Sequence, residues 1–153
     1  MYKRILVAID GTSAASLALA EAIELARDHG TEILLVHVID DLRLTAGDIG
    51  GVNLSYEAPR LREAGKALLQ DAAARARAAG IAVRSVLLEE LGVGVGACLV
   101  QRAREWQADL IVCGTHGRRG IRRLLMGSDA EYIVRHTPVP VLLVRHADGN
   151  DAR

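Results

Sequence analysis

Short apolar runs alternate along this chain with longer stretches of helical period. Residues 3–9 (KRILVAI) are aliphatic and β-branched behind a basic start, and they read as a strand buried on both faces. A basic-then-apolar opening also begins a secretory leader. Here Asp10 cuts the apolar run short and no small-residue cleavage site follows, so a strand is expected. Asp10-Gly11-Thr12-Ser13 has the chemistry of a turn and a helix N-cap. From Ala14 to His29, Leu17, Ala18, Ile23, Leu25 and Ala26 form an apolar helical face that Gly30 closes. Glu32 to Ile39 is a second strand. Residues 40–58 carry Gly47, Gly50, Gly51 and Asn53 with no period, which predicts a long loop before a helix with Pro59 in its first turn. The spacing then predicts a helix over Arg60 to Ala79 ending at Gly80, a strand over Ile81 to Leu88, and a helix over Val95 to Gln107. A strand over Asp109 to Gly114 follows, then a basic, glycine-bearing loop from Thr115 to Met126. Ser128 to His136 is a short helix and Val139 to Arg145 the last strand. The polar tail from His146 is expected to fray.

Strands alternating with helices predict a parallel sheet covered on both faces, an α/β doubly wound fold. We expect one domain over residues 1–146 and a polar tail over 147–153. A chain of 153 residues buries about 70% of its unfolded surface without staples. Hydrophobic residues at 50% and charged residues at 25% exclude disorder. Nineteen basic side chains balance nineteen acidic ones, which counts against a protein that coats nucleic acid. Aromatics at 3%, with no Phe, count against a base-stacking platform. No run approaches ~18 apolar residues, so no membrane span is expected. Cys98 and Cys113 form no CxxC and sit among apolar residues, as reduced, buried thiols of a cytoplasmic protein do.

In an open parallel sheet, ligands bind beyond the carboxyl ends of the strands, near the switch point. Three clusters follow strands. The first is Gly114-Thr115-His116-Gly117, then nine residues, then Gly127-Ser128. Glycines let backbone approach a ligand closely. Ser128-Asp129-Ala130-Glu131 has the pattern of a capping box, and a helix N-terminus offers free N–H groups to a phosphate. Arg118, Arg119, Arg122 and Arg123 share the loop. Residues 101–145 hold eight Arg against four acids, a net +4, while the rest of the chain carries −4. An ordinary basic loop before a capped helix has these parts too, but strand, glycine pair, basic loop and helix in sequence favour phosphate binding. The second cluster is Asp10-Gly11-Thr12, whose carboxylate suits a ribose hydroxyl, a metal-bound water or the turn's own backbone. The third is His37-Val38, with Val38 able to offer backbone groups to a base and His37 expected as a structural histidine.

Other motifs are absent or lack function. Gly92-Val93-Gly94-Val95-Gly96 is not GxGxxG and reads as a loop entering a helix. There is no Walker loop, HExxH or GxSxG. Asp40-Asp41 and Glu89-Glu90 read as solvated loop charges. Lys3 and Lys66 are the only lysines, and neither falls in a cluster.

The string from Ala108 to Arg145, with Gly114, Gly117, Gly127 and Ser128 in the spacing G-x2-G-x9-G-[ST], closely resembles the universal stress protein family. The opening KRILVAIDGTSAASLALAEAIELA and the middle EILLVHVID are similar to it as well. The likeness covers nearly the whole chain, most weakly over 42–58 and 89–96. It implies a Rossmann-like, five-stranded sheet in the order 3-2-1-4-5. It implies ATP as ligand, accompanied by a divalent metal, Mg²⁺ or Mn²⁺. The matching residues are Asp10 near ribose and phosphates, Val38 at the adenine, Cys113 beside the nucleotide, and Gly114, Gly117, Gly127 and Ser128 at the phosphates. Gly11, Thr12, His116, Arg118 and Asp129 complete this set. Cys113 stands where the family often has Met, and Asp129 where it often has an apolar residue or Thr. The resemblance also implies a homodimer paired through Val139 to Val144. The expected role is a nucleotide-dependent stress-response regulator with slow hydrolysis or none, acting on an unidentified protein partner. The competing readings are a stress protein that works by contacts alone, an ATP hydrolase or phosphotransferase, and, least, a nucleic-acid binder.

Overall fold

The computed structural model describes residues 1–40, 54–90, 92–115 and 126–146, with side chains described for the same residues except 54–57 and 90. Most of the predicted loop after the second strand, the arginine-bearing loop and the tail over 147–153 lie outside these residues.

The apolar runs become five strands: β1 (Arg4–Ala8), β2 (Glu32–Asp40), β3 (Ala82–Glu90), β4 (Leu110–Gly114) and β5 (Val141–Val144). All pair in parallel, in the order β3-β2-β1-β4-β5. Parallel neighbours need crossovers, and four helices supply them: α1 (Ser13–Ala26), α2 (Leu54–Ala78), α3 (Val95–Trp106) and α4 (Ser128–His136).

Alternate strand residues face opposite layers. Ile5, Val7, Ile33, Leu35, Leu110 and Val112 pack against Leu19 and Ala22 of α1 and Leu69 and Ala73 of α2. Leu6, Leu34, Val36, Ile111 and Cys113 pack against Leu99 and Ala103 of α3 and Ile133 of α4. Ile5, Leu6 and Val7 are wholly buried, each contributing about 1.5–3 kcal/mol. β1 is therefore central, with a helical layer on either side. At the amino edge, the Lys3 and Arg4 N–H groups donate to the Asp109 carboxylate at 2.7 and 3.0 Å, which aligns the start of β1 with that of β4.

Several boundaries differ from the sequence reading. α1 stops at Ala26 with Arg27 as its C-cap, short of the expected His29 and Gly30, and the last strand spans only Val141–Val144 of the expected Val139 to Arg145. The second helix starts at Leu54, so Pro59 lies inside it. A proline there removes only the bond its own N–H would give near the helix start. Cooperative growth from the long segment behind it carries the helix through. The N-cap of α4 is Gly127, not Ser128, and no side chain caps it. The first helical bond runs from the Glu131 N–H to the Gly127 carbonyl at 2.9 Å. Glu131 thus sits one place too far along to close a capping box, and its carboxylate pairs with Arg135 at 2.8 Å.

The end of α2 follows its sequence signal. Gly80 is left-handed at φ +76°. Its N–H donates to the Arg77 carbonyl at 2.9 Å, and the Ile81 N–H reaches back to Ala76 at 3.1 Å, the paired bonds of a Schellman stop. A Cβ at Gly80 meets nothing within 4 Å, so only conformation opposes it. We expect Gly80→Ala to lower unfolding stability by about 1 kcal/mol, read by urea denaturation. An unchanged midpoint would contradict this stop.

Candidate functional site

β1 is followed by α1 on one face and β4 by α4 on the other, so the carboxyl ends of these neighbouring strands border a crevice. Ile9 leaves the β1 ladder with its N–H donated to the Val36 carbonyl at 2.8 Å. Asp10 then turns the chain. Its Oδ1 accepts from the Thr12 N–H at 2.9 Å and from the Thr12 hydroxyl at 2.6 Å. Gly11 between them takes φ +81°, which suits a residue with no Cβ. The same Thr12 Oγ1 accepts from the Ala15 N–H at 3.2 Å and caps α1. Asp10 thus builds its own turn first, the most local of the three roles open to it in the sequence.

Cys113, one residue before the end of β4, is buried on the α3–α4 side. Burial, and after it the negative charge of Asp10, push its thiol from the ordinary 9.0 up to about 12. β1 and β4 are paired neighbours, so Asp10 and Cys113 both fall at the carboxyl ends of adjacent strands. Val38 lines the same layer, partly buried against that core.

Gly114 closes tightly on α1: a Cβ there would lie 2.7 Å from the Ala14 Cβ. The contact explains this glycine by packing, beside any approach of a ligand. Thr115 extends the β4–β5 pairing by donating its N–H to Val144 at 3.0 Å. Its carbonyl accepts from the Gly127 N–H at 2.9 Å. The two halves of the glycine signature, twelve positions apart at Thr115 and Gly127, are therefore joined by one backbone bond at the foot of α4. His116, Gly117 and Arg118, with Arg119, Arg122 and Arg123, lie outside the described residues.

Asp129 faces a neighbour that the sequence reading had set aside. Its Oδ1 accepts from the Gly96 N–H at 3.0 Å, serving the first turn of α3. A Cβ on Gly96 would stand 2.8 Å from the Asp129 carbonyl, so the two helix starts meet backbone to backbone. Gly94 is the α3 N-cap at φ 87°, without a side-chain cap bond. His37 was expected as structural; it is buried, and its Nδ1 lies 2.6 Å from the Ile9 carbonyl. Gly65, not singled out in the sequence, makes room for that ring. The available signal was a lone glycine inside an alanine-rich helix, where it costs ~1 kcal/mol and marks a close approach.

Among the described residues, no three His, Cys, Asp or Glu side chains converge as metal ligands. Oδ1 of Asp10 and Oδ1 of Asp129 already accept hydrogen bonds. This donor set does not fit an all-protein metal cage. A metal that keeps its waters and is held mainly by phosphate oxygens needs only one or two carboxylates.

A doubly wound parallel sheet with its switch point between β1 and β4 defines a class of Rossmann-like α/β folds. The family is specific. The model for the universal stress protein family matches residues 1–145, and the chain belongs to that family. A putative universal stress protein of Staphylococcus haemolyticus is 31% identical over 144 residues, covering 94% of this chain and 85% of that protein. A solved universal stress protein from Burkholderia pseudomallei is similar at 36% identity and a TM-score of 0.73, covering 94% of this chain and 96% of that one. The universal stress protein from Archaeoglobus fulgidus, solved in complex with dAMP, is 26% identical with a TM-score of 0.66, covering 94% and 98%.

The Cys113 environment has a measurable consequence. Between 9.0 and about 12 the folded thiol keeps a proton that the unfolded one has released. Stability is therefore undiminished below pH 9.0 and falls as pH rises from there towards 12. We expect Cys113→Ala to show a shallower fall than wild type in denaturant titrations across this window. Parallel curves would contradict a thiol buried in the folded state.

Proposed function

We propose that this chain binds an adenine nucleotide, ATP in the first instance, at the carboxyl edge of β1 and β4 and acts as a nucleotide-dependent stress-response regulator. The observation that carries the reading is the Gly127 N–H to Thr115 carbonyl bond. It joins the ends of the arginine-bearing loop beside the α4 start and across from the Asp10 turn. The dAMP complex of the Archaeoglobus fulgidus relative supports the ligand class.

In this reading the partly buried Val38 meets the adenine, and the Asp10 turn with Gly11 and Thr12 meets the ribose. Cys113 and Gly114 form the wall between them. Gly127, whose N–H is held by the Thr115 carbonyl, sets the start of α4, and the backbone N–H of Ser128, with His116, Gly117 and Arg118 of the loop, takes the phosphates. A bound Mg²⁺ or Mn²⁺ would neutralise phosphate charge, and the Asp10 and Asp129 carboxylates are the described residues that would help to hold it. Hydrolysis is slow or absent. Lys3 donates to the His29 carbonyl at 3.1 Å, at the amino end of the sheet, and Lys66 pairs with Glu63 on α2 at 3.0 Å. Neither serves as a transition-state lysine, and none of the placed site residues is an evident general base. We further propose that the protein works in the cytoplasm as a homodimer paired along the last strand, Val139 to Val144, and signals to a protein partner. Among the described residues, no helix is long and apolar enough to cross a membrane.

The test is to denature the purified protein, identify any released nucleotide, and titrate ATP with Mg²⁺ into the emptied protein and into a Gly117→Val variant. We expect submillimolar binding weakened about ten-fold or more by the substitution, a loss of at least ~1.4 kcal/mol. No released nucleotide and no binding in either protein would overturn the reading and leave a protein acting by contacts alone.

A further inference from the structure

We propose that His37 is a positioning residue for the nucleotide site, fixing the Asp10 turn relative to Val38 through the Ile9 carbonyl. The proposal rests on the reading above and assigns a second task to a residue that carries no ligand contact itself.

The imidazole is 5% exposed. Its Nδ1 lies 2.6 Å from the Ile9 carbonyl oxygen. A carbonyl only accepts, so Nδ1 carries the proton. The Ile9 N–H is held by the Val36 carbonyl at 2.8 Å. Both main-chain polar groups of Ile9 are thus gripped by β2, by two consecutive residues. The grip falls where it matters, because the paired register of β1 and β2 ends at Ala8 and Val36. Past that point the chain makes its Asp10 turn, and a main chain leaving a ladder is free to vary in direction unless something else holds it.

The ring cannot swing away. A Cβ on Gly65 of α2 would lie 2.7 Å from His37 Cδ2 and 3.2 Å from Nε2, so helix and imidazole are in close contact. The ring is clamped between sheet and α2 while its proton points at Ile9. Val38 follows on the same strand and faces the opposite layer, with the α3–α4 core. One rigid side chain therefore sets the spacing between the strand end that carries Val38 and the turn that carries Asp10. For a ligand with a base at one end and a ribose at the other, that spacing decides whether both are met together.

Three substitutions separate this role from simple filling of space. His37→Asn puts an amide N–H near the Nδ1 position and keeps the bond to Ile9. His37→Gln carries its amide towards the Nε2 position, and His37→Leu keeps bulk without a donor. The first readout needs no ligand: amide hydrogen exchange at Thr12, whose N–H donates to Asp10. Referenced to the core amides of each variant, Thr12 exchange should quicken about ten-fold in the Leu and Gln variants and recover in Asn. The second readout is a double-mutant cycle with Asp10→Ala on ATP affinity, where we expect coupling of roughly five-fold or more with His37→Leu and little with His37→Asn. Unchanged Thr12 exchange in the Leu and Gln variants overturns the proposal, as does additive loss in the cycle. If His37→Leu does not fold, His37→Gln carries both readouts. If wild type binds no nucleotide, the nucleotide reading fails by itself, and Thr12 exchange still decides the role of His37.

Discussion

Parallel strands cannot be joined by a hairpin; each must be followed by a crossover that covers one face of the sheet or the other. Here the helices after β1 and β2 cover one face and those after β3 and β4 cover the other. The change of side falls between β1 and β4, which are hydrogen-bonded neighbours at the centre of the sheet. The connections that leave their carboxyl ends diverge to opposite faces, and a crevice between those connections is the geometric consequence. The Asp10 turn, the Cys113 thiol and the foot of α4 border it because chain direction leaves them no other place.

Close approaches hold that crevice in shape. Gly114 admits α1 at Ala14, Gly96 admits α4 at Asp129, and Gly65 admits His37 at the far side of β2. Each lacks a Cβ because another chain segment occupies its space. Gly114 shows why a signature glycine need not have a single cause. The packing of β4 on α1 already requires it, and a ligand would only add a second requirement. The carboxylates behave similarly. Asp10 and Asp129 first satisfy N–H groups of nearby turns and helices, which fixes their orientation before any ligand arrives.

The architecture was legible because its signals are local. Aliphatic runs marked all five strands, Thr12 was readable as part of an N-cap, and Gly80 as a helix stop. The strand order came from the family likeness rather than from periodicity. The misread boundaries were also local in origin. Pro59 looked like a helix start, yet a proline near the end of a long helix breaks too little to stop it. The S-x-x-E pattern at Ser128 looked like a capping box, yet Gly127 takes the cap and moves Glu131 out of reach. What stayed hidden was long-range. The His37 bond to Ile9 spans 28 positions and the Asp129 bond to Gly96 spans 33. No window of sequence displays such pairs, although lone glycines in helices hint at where they fall.

On the reading proposed above, an adenine nucleotide seats at the β1–β4 switch. The most direct test is to add ATP to isotope-labelled protein and map backbone amide shifts. A nucleotide seated there shifts the amides of Gly11 and Thr12, of Val38, from Cys113 to Thr115, and from Gly127 to Asp129. Saturable shifts confined to the amino edge, around Lys3, Thr31 and Asp109, or to the outer face of α1 would contradict it.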